Sequence, residues 1–194
     1  MIILISNPAP VKDEHEIIRQ IFEEGLEVFH LRKKEFQENE MRAFIENIPE
    51  KYRGKIVLHS HYHLAAEYGL KGIHVPSTFK GKTSGGTLSV SFHSPEEIQK
   101  LELPFDCGFL SPVFDSISKE GYKSQFNSDE LKLFLKDRKE KIIALGGMDE
   151  DKIETVKDQG FSGIALLGAI WLSEHPVEKF KRIKERWLKY PTVY

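Results

Sequence analysis

Short apolar segments recur along the chain, and the spacing of most leaves room for a helix. This alternation constrains the fold more than any other feature. The segments are Ile2–Ser6, Val28–Arg32, Ile56–His59, Gly72–Val75, Leu88–Ser91, Cys107–Ser111, Ile142–Leu145 and Gly163–Leu167. Each is short enough to be a strand, and most are apolar throughout, as strands buried on both faces are. Helical patterns lie between them. Glu14–Glu24 places Ile17, Ile18, Ile21 and Phe22 on one face; Asn39–Ile48, His63–Tyr68, Pro95–Leu101, Ser128–Arg138, Asp149–Gln159 and Pro176–Trp187 complete the set. The stretch from Pro76 to Gly86 is rich in Gly, Ser, Thr and Lys and reads as a loop, so one helix is degenerate there. Strands alternating with helices predict a parallel β/α architecture, and eight strands predict a closed (β/α)8 barrel. An open doubly wound sheet is the alternative, but no Gly-rich dinucleotide fingerprint follows the first strand.

The 194 residues are few for this fold, for which about 250 is typical, so the connections must be short. With no linker in view, residues 1–194 are expected to form a single barrel domain. A net charge of −2 provides no broad basic field for nucleic acid or an anionic membrane. The apolar start Met1–Ser6 lacks a basic leader and breaks at Asn7-Pro8, so it reads as a first strand and not as a signal peptide. No apolar run approaches the roughly 20 residues that cross a bilayer. The single cysteine, Cys107, lies in an apolar run and reads as a buried structural thiol. A cytoplasmic protein is expected.

In a (β/α)8 barrel the active site lies at the carboxyl ends of the strands. Those ends carry Asn7; His30, Arg32 and Lys34; His59 and Ser60; Ser91 and His93; Ser116, Ser118 and Lys119; Gly146 and Gly147; and Gly168. Cations and hydroxyls gathered at one mouth, with glycines after the last two strands, point to an anionic ligand. Hydroxyls and backbone N–H groups bind phosphate oxygens directionally, while lysine adds a mobile point charge.

Five segments in order carry a resemblance to a known family: His30-Leu-Arg-Lys-Lys34, Val90-Ser-Phe-His93, Ser111-Pro-Val-Phe-Asp-Ser-Ile-Ser-Lys119, Ala144-Leu-Gly-Gly-Met148 and Gly163 to Ile170. The chain resembles the thiamin phosphate synthase family, which includes thiazole tautomerases, over nearly its whole length. The resemblance implies a transferase of thiamin biosynthesis that joins hydroxymethylpyrimidine diphosphate to a thiazole phosphate and releases pyrophosphate. It implies that Arg32, Lys34 and Lys119 are the catalytic cations on the diphosphate, with Ser91 alongside. It implies that Ser116, Ser118, Gly147 and Gly168 hold the thiazole phosphate, and that His30, His59, His93 and Leu167 complete the substrate-binding set. The partners it implies are small phosphorylated pyrimidine and thiazole substrates, with a second copy of the chain as a candidate.

Two departures matter. Where the family has an Mg2+-binding aspartate after its third strand, this chain has Ser60; where it has a second carboxylate, this chain has Phe79. Mg2+ prefers hard oxygen ligands, so no dedicated protein site for Mg2+ is expected and any Mg2+ would ride on the substrate diphosphate. The tautomerase branch also tends to lack these carboxylates, but Pro112 occupies the position of its acid/base histidine. A thiazole tautomerase and a non-catalytic, phosphate-binding or regulatory barrel therefore stand as alternatives.

The remaining histidines have ordinary readings beside sharper ones. His59, His61 and His63 alternate, but the helical pattern from His63 turns the latter two away from His59, so metal binding by this run is the lesser reading. His74 reads as a satisfied core histidine. His93 suits general acid–base chemistry or capping of the helix that starts at Ser94-Pro95-Glu96-Glu97. Lys33 and Lys34 read as a solvated pair of which only Lys34 fits the motif.

Overall fold

The computed structural model describes residues 1–81, 85–115, 126–136 and 138–190. Eight parallel strands close into a barrel: β1 Ile2–Ile5, β2 Val28–Leu31, β3 Ile56–Leu58, β4 Gly72–Pro76, β5 Thr87–Phe92, β6 Cys107–Leu110, β7 Lys141–Ala144 and β8 Gly163–Leu166. The pairing of β1 with β8, Ile3 opposite Ala165, closes the ring and rules out the open sheet. The helices are α1 Glu14–Glu23, α2 Glu38–Glu46, α3 Glu50–Arg53, α4 His63–Glu67, α5 Pro95–Lys100, α6 Ser128–Lys136, α7 Ile153–Asp158, α8 Gly168–Trp171 and α9 Pro176–Lys189. Among the described residues no helix joins β4 to β5, as the Gly- and Ser-rich composition there predicts. The single-turn helices α3 and α8 are additions to the predicted set. None of the helices is long and apolar enough to cross a membrane.

Local chemistry explains the elements. In α1, Ile18, Ile21 and Phe22 bury one face against the strands. Ser94 is the N-cap of α5: its hydroxyl accepts from the Glu97 N–H at 3.3 Å, with Pro95 in the first turn. Strands β4 and β5 pack so closely that a Cβ on Gly72 would lie 1.9 Å from the Thr87 carbonyl oxygen. No side chain fits there, so glycine at the start of β4 is a packing requirement.

The core has two layers. The larger lies between strands and helices and includes Leu4, Phe29, Leu31, Phe92, Leu166 and Phe180. The smaller fills the barrel with Ile3, Ile5, Val28, Val57, Phe109, Ile143 and Ala165. Side chains alternate across a strand, so His30 shares the inward face of Val28, and His59 that of Val57. The interior is therefore divided. Strands β6, β7, β8 and β1 supply mainly apolar groups, while β2 to β5 and their ends add His30, His59, His74, Ser89 and Ser91 to Val28 and Val57.

Candidate functional site

A cavity of about 560 Å³ opens at the carboxyl ends of the strands. Its wall includes Asn7, Arg32, His59, His74, Ser91, His93, Gly147, Leu167, Gly168 and Trp171. Strand ends aim these groups at one point, and the indole N–H of Trp171 donates to the Ile5 carbonyl at 2.7 Å, fixing α8 to β1.

Arg32 follows β2, where its backbone N–H donates to the Ser6 hydroxyl at 2.8 Å. Burial lowers its guanidinium pKa. Among the described residues no carboxylate pairs with it, although arginines elsewhere are paired, as Arg19 is with Glu16 and Arg42 with Glu38. A partly desolvated cation with no internal counter-charge can be satisfied by an anion from outside. Lys34 is exposed and lies at the rim, off the cavity wall. It is near enough that its charge helps depress the His59 pKa.

Lys33 is not half of a solvated pair. It is 1% exposed, and its ammonium donates to both carboxylate oxygens of Glu14, at 2.7 and 2.8 Å, and to the Ala9 carbonyl at 3.2 Å. The pair ties the β1–α1 loop to β2. The physical reason is local geometry: Lys33 and Lys34 leave the strand in opposite directions, and only one reaches solvent.

After β7 the chain turns through Gly146 and Gly147, with φ of 95° and 62°. A Cβ on Gly147 would lie 2.3 Å from the Asp115 carbonyl oxygen. The glycines thus let the β7 loop lie directly on the β6 loop and bring backbone to the cavity. Gly168 opens α8, whose first N–H groups have no acceptor within their own helix. His93 lines the cavity, and its Nδ1 donates to the Ser111 carbonyl at 3.0 Å. It is not the cap of α5, a role that Ser94 fills. Ser116, Ser118 and Lys119 lie outside the described residues.

At the cavity floor three imidazoles meet, His59 and His74 on the wall and His30 below them. His30 Nδ1 and His59 Nε2 are 3.0 Å apart, and the rings of His59 and His74 stack at 4.2 Å. His74 Nδ1 contacts the Ser89 hydroxyl at 2.9 Å and Nε2 the Ser91 hydroxyl at 2.6 Å. The Ser89 hydroxyl also donates to the Ile73 carbonyl, so it accepts from His74 Nδ1–H. That leaves Nε2 as the lone-pair nitrogen facing Ser91. Burial pushes all three pKa values down, that of His74 to about 3, helped by Arg32. His30 is enclosed below the wall and faces a second cavity at the opposite barrel end. His61 turns out to the Phe36 carbonyl and His63 to Glu38. Sequence reasoning pairs His59 with its chain neighbours, whereas the partners come from adjacent strands. The inward parity of Val28 and Val57 was the available signal.

The donor set does not suit Mg2+. Among the described residues the wall carries no Asp or Glu. Ser60 is off the wall with its hydroxyl buried, and Phe79 packs edge-on against Tyr62 at 5.8 Å. Imidazoles and hydroxyls are poor substitutes for the hard, charged oxygens that Mg2+ takes.

Fold and site together define a class: a (β/α)8 barrel with a cavity at the carboxyl ends of its strands whose wall carries an arginine and hydroxyls. Within it, the sequence model of the thiamine monophosphate synthase family matches residues 2–170, and the chain belongs to that family. It is 26% identical to a thiamine-phosphate synthase of Vibrio campbellii over 174 residues, 82% of this chain and 84% of that one. A solved thiamine phosphate pyrophosphorylase from Bacteroides thetaiotaomicron shares 32% identity with a TM-score of 0.81, covering 96% of each chain. One from Pyrococcus furiosus, at 17% identity, shares the fold with a TM-score of 0.78, covering 97% of this chain and 95% of that one.

Proposed function

We propose that this chain is a thiamin phosphate synthase, joining hydroxymethylpyrimidine diphosphate to a thiazole phosphate with release of pyrophosphate. One observation carries the reading beyond family membership: Arg32, desolvated at the cavity wall and without a carboxylate partner among the described residues. The diphosphate is assigned to Arg32, with Lys34 at the rim, Ser91 alongside and Lys119 as the third cation. The thiazole phosphate is assigned to the Gly147 and Gly168 backbone with Ser116 and Ser118.

The chemistry asks little else of the protein. The carbon–oxygen bond to the diphosphate breaks, the thiazole nitrogen supplies the new bond to that carbon, and pyrophosphate leaves with the electron pair. Negative charge grows on the leaving group, so fixed cations stabilise the transition state more than the ground state. No side-chain nucleophile is required. No step is assigned to Mg2+; the described wall offers it no carboxylate, and it would enter on the substrate diphosphate. A reducing, cytoplasmic setting is part of this reading, in keeping with the lone thiol of Cys107, whose pKa burial and Asp106 push up to about 12.

The test is formation of thiamin phosphate from the two substrates, with and without Mg2+. Product that depends on Arg32 supports the assignment. The lack of carboxylates on the described wall favours one second reading, a barrel that binds the thiazole phosphate without transferring the pyrimidine. Thiazole phosphate binding with no thiamin phosphate formed would establish that reading and overturn the first.

A further inference from the structure

We propose that His30, His59 and His74 form a three-imidazole site for a divalent transition-metal ion of the zinc class, set inside the barrel with its open position toward the cavity. One ligand nitrogen from each residue lies within 4.8 Å of the other two. The ring centroids are 4.2 to 5.3 Å apart. His30 lies in β2, His59 directly after β3 and His74 in β4, so consecutive strands of the barrel set their spacing. His59 and His74 reach the cavity wall, as does Ser91, so a fourth ligand can enter from that side.

Packing alone does not account for the cluster. The rest of the same interior is filled by groups such as Phe109, Ile143 and Ala165, whereas two buried imidazoles and a partly buried third carry a desolvation cost that apolar groups avoid. Their chemistry suits zinc and not magnesium, since imidazole nitrogen favours Zn2+, Cu2+ and Ni2+. Each ring offers one lone pair and keeps one N–H. His74 already has the needed tautomer, because Nδ1–H is held by Ser89, whose hydroxyl is anchored on the Ile73 carbonyl. In a tetrahedral zinc site the nitrogens stand about 3.3 Å apart. The His30–His59 pair at 3.0 Å opens slightly and exchanges its hydrogen bond for two metal bonds, and His74 closes in by rotation of its side chain. Three histidines with one open position is the ligand pattern of catalytic rather than structural zinc. This site goes beyond the transfer reaction and is tested without its substrates.

Chelator-stripped protein is titrated with Co2+, followed by visible absorption, and the cobalt is then displaced with Zn2+. The expected result is one Co2+ per chain with the intense bands of four-coordinate cobalt, lost on adding one equivalent of Zn2+. His59→Asn and His74→Gln should each weaken binding at least tenfold, and exposed His63→Gln should leave it unchanged. If a ligand variant fails to fold, as judged by circular dichroism, Ser89→Ala replaces it. Removing the group that orients His74 should weaken binding about tenfold or more. Absence of stoichiometric Co2+ binding to the parent protein overturns the proposal. So does binding that His59→Asn, His74→Gln and Ser89→Ala leave intact.

Discussion

Arg32 and Lys33 are adjacent, yet one faces a ligand cavity and the other closes an internal ion pair with Glu14. The place of Arg32 on the cavity wall was legible because it stands at a strand end, where barrel enzymes place their chemistry. The burial of Lys33 was not, because its partner sits 19 residues earlier with no periodic relation to it. Arg32→Ala should lower kcat/KM by about 10²- to 10³-fold, the usual effect of removing one charge-stabilising donor, with no loss of folding stability. Steady-state kinetics and urea melts check both parts, and activity within threefold of the parent would remove Arg32 from the mechanism. The same wall predicts that substrate-free protein binds Mg2+ negligibly, since its described residues include no Asp or Glu. Titration calorimetry showing tight 1:1 Mg2+ binding would mean that another carboxylate serves the site.

At the scale of elements, period and punctuation located all eight strands, with differences of at most one residue at either end. Buried parallel strands write continuous apolar runs, and those are easy to see. Helices α3 and α8 were not foreseen, because four residues are too few to show a 3.6-residue period. The two glycines of the β7 loop predict a backbone anion site. The structure adds a packing reason, the contact of Gly147 with the β6 loop. Gly147→Ala should therefore act on fold and site together. A positive φ and a blocked contact with Asp115 imply a loss of about 1 to 3 kcal/mol, with weaker phosphate binding. Urea midpoints and phosphate titration measure the two effects. A variant as stable as its parent would mean that the β6 loop moves aside freely.

The whole molecule is a barrel whose interior is apolar on one side and basic on the other. Strand-end motifs could not reveal this division, because it depends on the register between β2, β3, β4 and β5, which brings His74 opposite Ser89. It has a consequence for global stability. In metal-free protein His30, His59 and His74 have folded-state pKa values below the ordinary 6.5, that of His74 about 3, chiefly through burial. Unfolded chains therefore bind more protons than folded ones as pH falls below 6.5, and stability falls with pH across that window. The effect approaches about 1.4 kcal/mol per pH unit for each histidine once the unfolded imidazole is fully protonated. It levels off for His74 only near pH 3. Arg32 and Lys34 act in the same direction, since their charges disfavour imidazolium at His59. Carboxylates with ordinary unfolded pKa values near 4 contribute little above pH 5, so the interval from 6.5 to 5 isolates the histidines. Urea midpoints in chelator should drop steadily across it, and His59→Asn should make the drop shallower by one histidine's share. Stability that stays level from pH 6.5 to 5 would mean that the imidazoles take up protons in the folded barrel, and the buried basic interior would have to be redrawn.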